Sequence, residues 1–164
     1  MVEYLNYTWI VAGVSRAGKT TLANNLAKIS KLQFVDMDQL VQASRDITEP
    51  YWELDEVEFR RLEFSIYDNF KPELGMVIAL GGGALLNDKL AKIVSKWGYV
   101  GWLFTDKSII LNRWKVKPLS IFESDLDHQY ANRARVSSYW SSTIWDHCPK
   151  KVLQQMSVIA QYGD

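Results

Sequence analysis

An apolar tetrapeptide, Trp9-Ile10-Val11-Ala12, runs without a break into Gly13-Val14-Ser15-Arg16-Ala17-Gly18-Lys19-Thr20. The octapeptide is G-x-x-x-x-G-K-T, and helical spacing follows it. That setting commits the chain to strand, tight loop and helix in that order. The glycines let backbone N–H groups curl around an anion, and the helix aims its positive end at the same point. Lys19 adds a point charge for phosphate oxygens. Thr20 adds a hydroxyl suited to Mg²⁺. The candidate nucleotide-binding set is therefore Gly13, Ser15, Arg16, Ala17, Gly18, Lys19, Thr20 and Thr21.

A chain of 164 residues with 48% hydrophobic content is read as one domain over 1–164, long enough for a three-layer core. Its 19 basic and 19 acidic residues cancel. No long basic run provides the concentrated positive face that nucleic acid requires. The first residues lack a basic segment followed by an apolar one, so no signal peptide is expected. No stretch is apolar for long enough to span a membrane. Cys148 is the only cysteine, which excludes an intrachain disulfide and fits a reducing cytoplasm. His128, His147 and Cys148 are read as structural, with no metal site of their own.

Strand and helix patterns alternate along the chain. Strands are expected at 8–12, 32–35, 76–80, 98–104 and 143–145. Helices are expected at 19–30, from 40 to short of Pro50, and at 54–70, 84–96, 107–114, 126–136 and 149–160. Asp106 is expected to cap the helix from 107. The class is α/β with a parallel sheet. Ligands of such sheets bind beyond the carboxyl ends of the strands. One crevice should therefore gather the 13–20 loop, Asp36 and Asp38, Gly81-Gly82-Gly83 and the segment after Phe104.

Asp36 and Asp38 stand two residues apart at a strand end. In extended chain both would face the same side, one towards a metal and the other towards an acceptor hydroxyl. Arg60 and Glu63 share a helix face. Alone they make a surface ion pair; facing a cleft they make an Arg fork for a carboxylate. Three glycines at 81–83 after a buried strand exceed what a turn needs, which points to a ligand approaching the backbone. Arg113, Lys115, Lys117, Arg133 and Arg135 surround a segment without periodicity that holds Pro118. That segment, about 112–125, is read as a lid that excludes water from a phosphoryl group.

The ordered set resembles the shikimate kinase family of nucleoside-monophosphate-kinase-like P-loop kinases. It comprises the P-loop at 13–20, D-x-D at Asp36 and Asp38, F-R-x-x-E at Phe59, Arg60 and Glu63, G-G-G at 81–83, a lid, and R-x-x-x-Y at Arg135 and Tyr139. The resemblance implies a three-layer fold with a five-stranded parallel sheet in order 2-3-1-4-5. It implies a helical substrate-binding region at about 37–70 and a monomer. The implied reaction is transfer of the γ-phosphoryl group of ATP to the 3-hydroxyl of shikimate, with Mg²⁺. Lys19 and Lys117 would serve the phosphates, Thr20 and Asp36 the metal, and Asp38 the ring hydroxyls and the proton. Arg60 and Arg135 would clamp the carboxylate, Gly81, Gly82 and Gly83 would contact the acceptor, and Arg113 would pack on adenine.

Departures from the family pattern bear on the acceptor. Lys117-Pro118-Leu119-Ser120 stands where the family carries R-P-L-L, so a point charge replaces a planar fork. The R-x-P-L-Y end is Arg135-Val136-Ser137-Ser138-Tyr139. Two further readings follow: a kinase for another small hydroxy acid or sugar acid, and a nucleotide-binding regulatory protein without turnover.

Overall fold

The computed structural model describes residues 3–44, 56–116 and 125–162. Strands β1 (Thr8–Ala12), β2 (Gln33–Asp36), β3 (Met76–Ala79), β4 (Tyr99–Leu103) and β5 (Thr143–Trp145) form one parallel sheet, in the order β2-β3-β1-β4-β5. This is the expected topology. Helices α1 (Lys19–Ser30), α2 (Met37–Ala43), α3 (Glu56–Asn69), α4 (Asp88–Val94), α5 (Lys107–Val116), α6 (Leu126–Trp140) and α7 (Pro149–Tyr162) lie between and after the strands. None of them is long and apolar enough to cross a membrane.

All five residues of β1 are buried. A strand covered on both faces reads as an unbroken apolar run, which is why 9–12 shows no polar alternation. Trp9 and Val11 face one layer, with Leu22 and Leu26 of α1, Trp114 of α5 and Met156 of α7. Ile10 and Ala12 face the other, with Tyr67 of α3 and Leu90 and Val94 of α4. The P-loop strand is thus clamped at the middle of three layers, and the loop leaves from its carboxyl end.

Boundaries differ from expectation where a side chain caps a helix. Helix α2 starts at Met37, not at 40, because Asp36 Oδ1 accepts from the Gln39 N–H at 3.2 Å and ends the strand in a helical turn. The helix expected over 84–96 divides into a 3₁₀ turn (Ala84–Leu86) and α4. Asn87 causes the division, since its Oδ1 accepts from the N–H groups of Lys89 and Leu90. Asp106 caps α5 as expected, taking the Ser108 N–H at 2.8 Å. Residues 112–116 of the expected lid continue α5 instead. Buried Trp114 anchors that turn, and its Nε1–H donates to the Ser15 carbonyl at 3.0 Å. The rest of the lid up to Asp125, including Lys117, lies at 117–124, outside the described residues; Asp125 itself is the N-cap of α6.

Candidate active site

The P-loop is anchored in the core layer that also holds α1. Val14 and Ala17 are buried in the core and fix its two limbs. Gly18, at φ 99°, makes the left-handed turn into α1 that a side chain would strain. The Lys19 ammonium reaches back to the Val14 carbonyl at 2.7 Å and is almost fully buried. Burial pushes its pKa down to about 8, with Asp38 and Asp36 acting in the opposite direction and Arg133 reinforcing the fall.

Thr20 donates to Asp36 Oδ2 at 2.6 Å. Two hard oxygens stand together at the end of the P-loop, and Mg²⁺ takes one or two such protein ligands alongside phosphates and water. The pair fits that ion. Among the described residues no group of three or more His, Cys, Asp or Glu side chains is arranged to hold a metal by itself.

Asp36 and Asp38 do not share one side of an extended strand. Asp38 lies in the first turn of α2, turned by the cap at Asp36. Its Oδ1 stands 2.7 Å from where a Cβ on Gly81 would be. Burial raises its pKa, while Lys19 pulls it back down. Asp38 is thus a more basic carboxylate than an exposed one, facing the Gly81 turn beside a buried ammonium.

The three glycines each have a separate steric reason. A Cβ on Gly81 would collide with Asp38, and one on Gly82 would overlap the Ser15 hydroxyl and backbone. One on Gly83 would come within 3.2 Å of Arg60 Nη2 and 3.4 Å of Arg133 Nη1. The Gly81 N–H donates to the Tyr67 hydroxyl at 3.1 Å, so it is engaged within the protein. Gly82 and Gly83 form the part of the turn that faces the P-loop and the guanidinium groups.

Arg60 donates to Glu63 Oε2 at 2.7 Å, and Glu63 is buried. Burial raises the Glu63 pKa, and the Arg60 charge and hydrogen bond oppose the rise. The second guanidinium at Gly83 is Arg133. It is 3% exposed, and its Nη1 donates to Ser15 Oγ at 2.9 Å. Burial, reinforced by the Arg60 charge, lowers its pKa to about 10. Arg135, the expected clamp residue, is exposed and donates to Asn132 Oδ1 at 3.0 Å. Two positions along a helix are about 200° apart, so Arg133 and Arg135 point to opposite faces of α6. Tyr139, on which the Arg135 register is anchored, is 77% exposed, whereas Ser137, four residues after Arg133, is buried.

On the other side of the P-loop, Arg113 Nη1 donates to the Arg16 carbonyl at 2.7 Å. Arg16, Ala17, Gly18, Thr21, Asn25 and Arg113 border an open cleft of about 420 Å³. His147, read from the sequence as structural, borders it too. Its ring partner, Thr105, lies 42 residues away.

A family model described as shikimate kinase matches residues 15–156. A shikimate kinase of Bartonella henselae is 32% identical over 115 residues, which cover 69% of this chain and 55% of that protein. The chain spans about half the length of the first curated relatives it matches. The crystal structure of shikimate kinase from Aquifex aeolicus aligns with a TM-score of 0.76 at 21% identity, covering 95% of this chain and 96% of that one. A shikimate kinase from Acinetobacter baumannii in complex with shikimate aligns at 0.77 and 20% identity, covering 98% and 97%. At such identities the structural likeness speaks for the fold.

Proposed function

The chain belongs to the shikimate kinase family, and from that premise we propose that it transfers the γ-phosphoryl group of ATP to the 3-hydroxyl of shikimate, giving ADP and shikimate 3-phosphate. The observation that carries the reading is the convergence of two guanidinium groups, Arg60 and Arg133, on Gly83, with Asp38 and Lys19 close by. A small acid with ring hydroxyls needs that order of charges. Paired guanidinium groups take its carboxylate, a carboxylate takes a hydroxyl, and an ammonium lies towards the phosphates.

Arg60 and Arg133 orient the acceptor, and the Glu63 carboxylate holds the Arg60 fork in place. Asp38 accepts the proton of the attacking hydroxyl. The hydroxyl oxygen forms a bond to the γ-phosphorus, the bond to the β-bridging oxygen breaks, and ADP leaves. Lys19 and the P-loop amides meet the charge on the transferring group. Thr20 and Asp36 would hold Mg²⁺, which when bound neutralises phosphate charge. Lys117 is proposed as the lid cation and Arg113 as the group that packs on adenine.

A coupled assay for ADP release, run with a panel of hydroxy acids and sugar acids, tests this. Shikimate should be the preferred acceptor. Absence of shikimate-dependent ADP from folded protein with Mg²⁺ overturns the acceptor, and a preferred acceptor elsewhere in the panel replaces it. Asp38→Asn should cut turnover by at least ~10²-fold with ATP binding retained, the lower range for a positioned acid–base group.

A further inference from the structure

Ser15 is gripped by three elements outside the P-loop. Its carbonyl accepts the Trp114 Nε1–H of α5 at 3.0 Å, and its Oγ accepts from Arg133 Nη1 of α6 at 2.9 Å. The turn after β3 presses on it as well, since a Cβ on Gly82 would overlap its hydroxyl. The half-buried side chain therefore stands on the seam between the phosphate loop and the glycine turn. The buried Lys19 ammonium lies beside the same limb of the loop, bonded to the carbonyl of Val14, the residue before Ser15.

A guanidinium can only donate, so its bond to Ser15 takes an oxygen lone pair and leaves the hydroxyl hydrogen unused. That hydrogen has no acceptor among the described residues. Arg133 also makes the O–H a stronger donor, because hydrogen bonds in series polarise one another. A donor of this kind suits an anionic oxygen. The carboxylate of an acceptor belongs to the guanidinium pair at Gly83, and the nucleoside belongs to the cleft at Arg113 on the other side of the loop. The anion that crosses the seam at Ser15 is the γ-phosphoryl group, on its way from the P-loop to the acceptor.

We propose that the Ser15 hydroxyl donates a hydrogen bond to the γ-phosphoryl group, in the bound nucleotide and as the group crosses to the acceptor, with the Arg133 guanidinium aiming it from behind. The serine keeps its hydrogen throughout, and the proton of the attacking hydroxyl still goes to Asp38. The inference rests on the ATP-dependent transfer proposed above and is independent of which acceptor is phosphorylated. It also gives Arg133 a second task, because one guanidinium both orients the acceptor and sets a donor on the phosphoryl group.

Calorimetric titration of the full chain with ADP and with the β,γ-imido analogue of ATP, both with Mg²⁺, decides it. Of the two, the analogue alone carries γ-phosphoryl oxygens. Ser15→Ala should weaken the analogue about tenfold, the lower range for a hydrogen bond to a charged group, and leave ADP unchanged. Ser15→Cys keeps the size of the side chain with a weak donor, so it should show the same selective loss. Equal affinity of the parent and Ser15→Ala for the analogue overturns the proposal. Equal weakening of ADP and analogue overturns it too, since that marks a disturbed loop. A Ser15→Cys protein with the parent's preference also overturns it, because the side chain then acts by filling space. A fall in acceptor affinity with the preference for the analogue intact overturns it as well, and assigns Ser15 to holding Arg133. A parent that binds neither nucleotide overturns the ATP reading and this inference together. A parent that binds both but lacks shikimate-dependent turnover overturns the acceptor alone, and the two titrations still decide Ser15.

Discussion

The Thr20 hydroxyl and the Asp36 carboxylate are 2.6 Å apart, so α1 and the end of β2 meet through the two oxygens a hard cation would take. Asp36 also caps α2. Its two tasks separate by substitution. Asn is as good a cap as Asp, whereas Ala lacks one and should cost about 1 kcal/mol of stability. Asp36→Asn should melt near the parent yet need at least several-fold more Mg²⁺ for half-maximal turnover. Equal Mg²⁺ dependence in both proteins would remove Asp36 from the metal site.

Arg133 and Arg135 make a paired test on a single helix. Arg133→Ala should weaken acceptor binding by about 2–5 kcal/mol, part of it the penalty of leaving a carboxylate under-paired. Arg135→Ala, on the exposed face, should stay within about 0.5 kcal/mol of the parent. Separate affinities for shikimate and ATP measure both. A large effect of Arg135→Ala with none from Arg133→Ala would restore the register anchored on Tyr139.

Tyr67 supports the Gly81 turn with its hydroxyl and stacks on Trp97, with ring centroids 5.6 Å apart. Tyr67→Phe keeps the stack and strips the Gly81 N–H of its partner. A buried donor left unsatisfied costs about 1–3 kcal/mol. The melting temperature should fall accordingly, and the Gly81 amide should exchange faster with solvent. The KM for shikimate should rise more than the KM for ATP. Unchanged Gly81 exchange would show that the hydroxyl does not hold the turn.

Lys19 makes nucleotide binding a proton-linked event. Its folded-state pKa, about 8, is below the ordinary 10.5 because of burial. Between those values the unfolded chain holds a proton that the folded chain has released, so the Lys19 contribution to stability improves as pH rises through that window. Polyphosphate favours the charged form, so binding near pH 8 and above should take up a proton and weaken as pH climbs. Calorimetry in two buffers of different ionisation heat measures the uptake. Buffer-independent heats, or the same uptake in Lys19→Met, would assign the proton elsewhere.

Local patterns exposed much of this site to reading from sequence, and long-range pairings hid the rest. The P-loop is legible because strand, loop and helix are contiguous, and the sheet order follows once its family pattern is seen. Asp36 and Asp38 are legible as a pair, but their geometry is not, because a capping bond converts the strand end into a helix. Arg133 is legible only as one of a basic series, because its burial beside Ser15 and Gly83 depends on which face α6 turns to the P-loop. Gly81 shows as a third glycine, but nothing near it in sequence reveals that Tyr67 on α3 consumes its N–H. His147 depends on Thr105 and Ala17, which reach it only through the finished sheet.

The strand order also sets a timetable for synthesis. β1 is made first and lies in the middle, yet its neighbours are β3 and β4, which pair with it only once Met76 and Tyr99 exist. While the ribosome makes the intervening segment, Trp9, Ile10 and Val11 are an apolar strand with both edges open. Such a segment is open to pairing with another chain until its own partners arrive. The nucleotide cleft closes later still, because His147 follows the last strand. A nascent chain can therefore display its phosphate loop well before the cleft beside that loop is complete.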